Sequence, residues 1–261
     1  MLLAEGSILE NVKIAEPYYY RLVIELPKKL NARPGQFLQI KVGLDTTDPL
    51  LRRPFSIAGL SRKKVILFYQ IKGKGTSILA RRLPGERISF LGPLGNGYPI
   101  LEKRPKVLLA GGIGAASLLF LAGRLALHPV ERESCVILGG RSKESLFFLS
   151  DFESLGFTVY CATEDGTLGY HGLATSLLKK IAKKIPPSAV LYACGPNPML
   201  RQTSEIVKRT GWKAYFSLET MMACGTGICR GCAILTRTGY RLVCSEGPVF
   251  PCEEIVWREN F

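Results

Sequence analysis

Four of the chain's eight cysteines fall within 21 residues, at Cys224, Cys229, Cys232 and Cys244. The segment holding the first three, ACGTGICRGCAI, also carries Gly225, Gly227 and Gly231. Residues 213–261 show little hydrophobic periodicity, so they are too few to build a large core and a bound metal centre is expected to supply part of their stability. The spacing, Cys-x4-Cys-x2-Cys-x11-Cys, is that of plant-type [2Fe–2S] sites, in which four thiolates ligate two sulfide-bridged irons. Glycines let such a loop fold closely around an inorganic core and aim backbone N–H groups at its sulfurs, which raises the reduction potential. Zinc is the alternative. It usually takes paired Cys-x2-Cys units, and only Cys229 and Cys232 are so spaced.

The N-terminal MLLAEGSILE has neither a basic start nor an apolar run suited to a signal peptide. The longest apolar stretch, 107–122, is interrupted by glycines and is shorter than the ~18–20 residues of a membrane span. A cytoplasmic location is therefore expected, where thiols stay reduced and clustered cysteines serve metals rather than disulfides. The formal charge of +14 raises the question of nucleic acid. From Phe216 onward, however, four arginines face five glutamates, so the cysteine-rich end is not basic. The densest basic run, LLKKIAKKI at 177–185, has helical spacing that gathers its lysines on one solvated face. No nucleic-acid and no membrane partner is expected.

With 261 residues, 47% of them hydrophobic, the chain has material for more than one domain. Residues 1–102 contain short runs with period two, YRLVIELP, GQFLQIKV, KVILFYQIKG and ERISFLGPLG, separated by Gly or Pro; these predict an antiparallel β-barrel. Residues 103–212 alternate apolar strands (KVLLAGGIG, SCVILGG, TVYCAT, AVLYACG) with helical segments, among them ESLFFLSDFESLG. That order predicts a doubly wound parallel sheet. The fold class is thus multi-domain β and α/β, with a small C-terminal cluster-binding region at 213–261.

Three further constellations carry chemistry. In LLRRPFSIAG, Arg53 suits a diphosphate, the ring of Phe55 suits stacking on an isoalloxazine or adenine, and the Ser56 hydroxyl suits a flavin N5. KGKGTS, with Gly75, Thr76 and Ser77, places amides at a helix start that would face the same phosphate, although an ordinary capped turn explains it too. In LLAGGIGAASL, Gly111, Gly112 and Gly114 lie between strand and helix, where a dinucleotide diphosphate would approach; tight packing is the competing explanation. CGPNPML places Cys194 and Gly195 at the ligand-binding edge of the same sheet, where Gly-Pro also serves as a simple turn. Arg141 and Ser142 follow the second strand and bear on NAD against NADP. His128 and His171 read as surface or capping residues, Cys135 and Cys161 as core, and Cys252 is without a role.

RPFS, GKGTS, GPLGNGY, GGIGAA and CGPNPM, in that order, resemble the ferredoxin-NADP reductase superfamily. ACGTGICRGCAI, VCSEGPVF and TEDGTLGYHG resemble the electron-transfer subunits of NAD-dependent, B-type dihydroorotate dehydrogenases. The resemblance spans almost the whole chain. It implies FAD held by Arg53, Pro54, Phe55 and Ser56, by Tyr69, Gln70 and Ile71, and by Gly75 and Thr76. It also implies a [2Fe–2S] cluster on Cys224, Cys229, Cys232 and Cys244, bound NAD, and an FMN-containing dihydroorotate dehydrogenase catalytic subunit as partner, two of each in a heterotetramer. Electrons would pass from that FMN through the cluster and FAD to NAD+, within pyrimidine biosynthesis. Two relatives share the layout: the alpha subunit of NADH-dependent ferredoxin-NADP oxidoreductase, which typically has Asp at the position of Cys224, and the sulfhydrogenase gamma type.

Overall fold

Alternation of side chains decides the first hundred residues. In KVILFYQ, Val65, Leu67 and Tyr69 are buried while the residues between them are half-buried. Such strands can only close on one another around a single core. The computed structural model describes residues 2–15, 18–43, 48–101 and 103–257. Six antiparallel strands form a closed barrel: β1 (Leu2–Ala15), β2 (Tyr19–Glu25), β3 (Phe37–Ile40), β4 (Arg53–Ser61), β5 (Lys64–Gln70) and β6 (Arg87–Leu94), in the order β1-β2-β5-β4-β3-β6. Ile8, Leu22, Ile24, Leu38, Ile40, Ile57, Leu67 and Phe90 fill it. Helix α1 (Lys74–Ala80) adds Leu79 to that core.

The second unit is a seven-stranded sheet, and α2 (Ala115–Leu125), α3 (Leu149–Ser154), α4 (Ala174–Ile181) and α5 (Asn197–Thr210) alternate with its strands along the chain. Its strands are β7 (Lys106–Gly111), β8 (Cys135–Gly140), β9 (Thr158–Thr163), β10 (Tyr170–His171), β11 (Val190–Cys194), β12 (Lys213–Ser217) and β15 (Val249–Pro251), ordered β10-β9-β8-β7-β11-β12-β15. All pairs are parallel except β12 with β15. The order reverses at β7, whose neighbours β8 and β11 lie on opposite sides, and the crevice outside such a reversal is where open α/β sheets bind ligands. The lysine run behaves as expected: Lys179, Lys180, Lys183 and Lys184 are exposed while Leu177, Leu178 and Ile181 are buried.

Two expectations need correction. Residues 213–217, expected within the cysteine-rich region, form β12, hydrogen-bonded along β11, and Val249–Pro251 of the C-terminal region adds the edge strand β15. The cysteine region, with its hairpin β13 (Ala233–Thr236) and β14 (Gly239–Leu242), therefore shares the core of the sheet: Cys232, Ile234, Val243 and Phe250 pack in one cluster with Leu191 and Phe216. Glu102, at the first expected boundary, and residues 258–261 lie outside the described residues. The second correction is ESLFFLSDFESLG, where helix is confined to α3 because Phe148 takes a left-handed φ of 65°. Its adjacent Phe147 and Phe148 instead form the seam between barrel and sheet. Phe147 packs on Tyr19 at 4.6 Å and Phe148 meets Phe68 edge-on at 4.5 Å. No described helix is long and apolar enough to cross a membrane.

Candidate functional site

The cysteine loop is shaped by backbone that side chains resist. Gly225 (φ 73°), Gly227 (φ 88°) and Arg230 (φ 56°) are left-handed, which curls the chain around its own sulfurs. The Cys224 sulfur accepts the amides of Thr226 and Cys229, both at 3.4 Å, and the Cys232 sulfur accepts the amide of Cys244 at 3.5 Å. Burial opposes ionisation of Cys224, but the hydrogen bonds from Thr226 and Cys229 outweigh it and bring the thiol down to about 6. Burial first, and then the neighbouring Cys232, push Cys244 up to about 12. The amide-to-sulfur bonds thus join the cysteines as two pairs, Cys229 to Cys224 and Cys244 to Cys232, with Cys224 also within electrostatic reach of Cys244. Two bridged irons take two thiolates each, whereas one zinc would draw all four to one point. Among the described residues, no group of three or more His, Cys, Asp or Glu is gathered to hold a single ion. The all-thiol donor set, its paired arrangement and the amides aimed at sulfur fit a [2Fe–2S] centre. The pairs differ in setting: Cys232 and Cys244 are buried, while Cys229 is exposed beside Ile228, itself 85% exposed.

The barrel brings RPFS and GKGTS together. A Cβ on Gly75 would lie 3.0 Å from Arg53 Nε, so the start of α1 rests directly against the guanidinium. Arg53 otherwise donates to the Leu51 carbonyl at 2.7 Å, which anchors the group without neutralising it. Thr76 Oγ1 accepts the amides of Lys72 and Gly73 and donates to the Gly73 carbonyl; Ser77 Oγ donates there too. The capped turn and the cationic cradle therefore coexist, with the Thr76 hydroxyl committed to the cap. Pro54, Ser56, Gln70 and Ile71 are half-buried. Phe55 is not placed as expected. The Phe55 ring is 8% exposed and meets Tyr69 edge-on at 5.7 Å inside the barrel, so it presents no free face for stacking. The Tyr69 hydroxyl donates to Asn11 at 2.8 Å, and burial raises its pKa.

A cleft of about 620 Å³ opens at the reversal point of the sheet. Gly111, Gly112 and Gly114 line it from the β7 turn, Gly195 and Met199 from beyond β11, Arg141 and Glu164 from beyond β8 and β9, Gln70 and Lys72 from the barrel, and Glu219 from the start of the cysteine loop. The glycines divide into two kinds. A Cβ on Gly114 would fall 2.5 Å from the Cys194 carbonyl oxygen, and one on Gly195 3.0 Å from the Gly111 Cα, so these three hold the β7 and β11 turns together. Gly112 has φ 52° and nothing within 4 Å of a Cβ, so it alone leaves open space for a ligand. Gly114→Ala is accordingly expected to cost about 1–3 kcal/mol of stability and to weaken NADH binding, measured by urea unfolding and NADH titration. Cys194 does not line the cleft: its thiol is buried beneath the floor, and burial pushes it up to about 12. Ser142 donates to Glu144 at 2.6 Å. His128 and His171 are exposed, Cys135 and Cys252 join cores, and Cys161 is only half-buried.

Glu219 escaped sequence reasoning because no motif surrounds it, whereas Met199 and Lys72 sit inside CGPNPML and KGKGTS, whose glycines drew the attention instead. Gln39 escaped it too, although its signal was present: a lone amide in FLQI, a strand buried at every position.

Comparison with known proteins agrees with this geometry. Residues 219–256 match the family model of the iron-sulfur cluster binding domain of dihydroorotate dehydrogenase B. The dihydroorotate dehydrogenase B (NAD(+)) electron transfer subunit homolog of Aquifex aeolicus is 40% identical over 260 residues, covering 98% of this chain and 100% of that protein. The corresponding electron transfer subunit of Geobacillus thermodenitrificans is 39% identical, covering 96% of this chain and 97% of its own length. Among solved structures, the NADH-dependent reduced ferredoxin-NADP oxidoreductase superposes with TM-score 0.86 at 27% identity, over 97% of this chain and 90% of that one. A ferredoxin NADP+ reductase from Neisseria gonorrhoeae shares the fold, with TM-score 0.68 and 19% identity over 80% of this chain and 92% of its own. A barrel and a reversed parallel sheet sharing one cleft, a four-thiol loop that follows the cleft residue Glu219, and this likeness over nearly the full length place the chain in the family of dihydroorotate dehydrogenase B (NAD+) electron transfer subunits.

Proposed function

We propose that the chain holds FAD on the barrel, NAD in the cleft and a [2Fe–2S] cluster in the cysteine loop, and links NAD+ to an FMN-containing catalytic subunit that oxidises dihydroorotate. The observation that carries this reading is contiguity. One cleft is lined by the barrel, by both turns of the sheet and by Glu219, on the segment that leads from β12 to the cysteine loop. When bound, these groups supply hydride exchange at the nicotinamide, single-electron exchange at the cluster, and a flavin able to do both.

The protein's own residues do the holding. The Arg53 guanidinium and the amides around Gly75 receive a diphosphate, with Pro54, Ser56, Gln70 and Ile71 along the ring system and Phe55 and Tyr69 supporting it from within the barrel. Gly112 admits the second dinucleotide to the cleft, and Gly195 fixes its far wall. Glu164, beside Arg141 in the cleft, sets a negative charge where a 2′-phosphate would sit, which favours NAD over NADP.

The exposed face at Met221, Ile228 and Cys229 is the port to the partner, in a heterotetramer of two of each subunit. The eight free cysteines suit the reducing cytoplasm, where we place it. Ile228→Asp tests the port. It is expected to weaken assembly with the catalytic subunit by at least about tenfold, the worth of one interface anchor, with iron content unchanged, as read by co-purification and iron assay. Undiminished assembly would move the port elsewhere.

A further inference from the structure

Strand β3 (Phe37–Ile40) stands between the two candidate cofactor sites. Leu38 and Ile40 point into the barrel core, while Phe37 joins the core that contains Cys232 and Cys244. Gln39 is 0% exposed, yet neither its Nε2 nor its Oε1 has a hydrogen-bond partner among the described residues. A buried carboxamide left unsatisfied is costly, and an apolar side chain of the same size would avoid the cost. Its surroundings show which way it faces. A Cβ on Gly225 would lie 2.8 Å from Gln39 Nε2 and 2.6 Å from its Cγ, so the residue directly after Cys224 is pressed onto the amide, and its φ of 73° favours glycine there as well. On the other side, β3 pairs Gln39 with Pro54, next to Arg53.

We propose that Gln39 is a positioning residue for the metal centre: its amide N–H groups donate to the Cys224 sulfur or to an adjacent inorganic sulfide once the cluster is assembled. This rests on the reading of the four cysteines as [2Fe–2S] ligands. A donor to sulfur stabilises the more negative, reduced form of the centre and so raises its potential. The same contact fixes the cysteine loop against the barrel strand that adjoins the flavin residues, holding the two redox groups in constant register.

The test is an anaerobic redox titration of the full chain, carrying FAD and cluster, that follows the cluster by electron paramagnetic resonance and the flavin by absorbance. Gln39→Met keeps the length of the side chain and removes the donor. Iron, sulfide and FAD contents are expected to match wild type, while the cluster's reduction equilibrium shifts about tenfold toward the oxidised form, ~59 mV for a one-electron couple. Its resonance signal should change, and the flavin couple should stay fixed. Should the Met variant fail to fold, Gln39→Glu preserves the shape and exchanges the N–H donors for a carboxyl. In a titration at high pH, where the ionised form accepts only and adds a negative charge beside the sulfurs, a shift in the same direction and at least as large is expected. A cluster couple and signal identical to wild type would overturn the proposal, as would a shift confined to the flavin, which would assign the amide to FAD instead. Wild-type protein without iron would overturn the cysteine reading itself, a distinct failure.

Discussion

Cys229→Ser should remove the cluster and leave the remainder of the protein in place. Cys229 is the exposed member of its pair, so a serine there leaves no cavity in the core, in contrast to Cys232 and Cys244, which pack against Phe37 and Phe250. Serine's hydroxyl does not ionise as a thiol does, and two irons need four thiolates. Losing an outer partner of a metal ligand costs about 10–100-fold in affinity, and losing a ligand should cost at least as much. Iron and acid-labile sulfide are expected to fall from about two of each per chain to near zero. Electron delivery between NADH and the catalytic subunit should drop at least about 100-fold, while NADH-driven reduction of a soluble dye persists. Equal loss of both activities would mean that the cluster region also supports the nicotinamide cleft.

Arg53→Ala should empty the flavin site. The guanidinium has its side chain against Gly75 and keeps its charge free for a diphosphate, its nearest protein acceptor being a neighbouring carbonyl. Hydrogen bonds to charged groups contribute about 1.5–3 kcal/mol each, so losing a bidentate pair corresponds to roughly a 100- to 10,000-fold weaker Kd for FAD. Equilibrium binding followed by flavin fluorescence would read this directly. Arg53→Lys should recover only part of the loss, because an ammonium lacks the planar fork. Retention of FAD with unchanged affinity would place the diphosphate elsewhere.

How much of this was legible beforehand depended on whether local pattern or distant packing set each feature. β5 and β6 alternate cleanly and were readable. The 14-residue β1 was not: its alternation is broken by bulges near Glu10 and Ala15, and Gly6 is required only because a Cβ would meet the Glu25 carbonyl oxygen at 2.5 Å. SLFFL has helical texture, and only the arrival of Tyr19 and Phe68 from the barrel turns its phenylalanines into a domain seam. That residues 219–256 bind an iron-sulfur centre was legible because cysteine spacing is a local property. In the glycine turn, by contrast, Gly112 and Gly114 look alike in sequence. Only the approach of the β11 turn separates the glycine that packs from the one that leaves room. Phe55 shows the same limit, since which face of a strand meets the core is fixed by closure of the barrel.

The most direct test of the central claim is an anaerobic absorption spectrum of the purified chain, with FAD, iron, zinc and acid-labile sulfide quantified on the same sample. The expected result is flavin bands overlaid by broader cluster absorbance, with about one FAD, two irons and two sulfides per chain. Flavin without iron, or zinc with neither chromophore, would contradict the account.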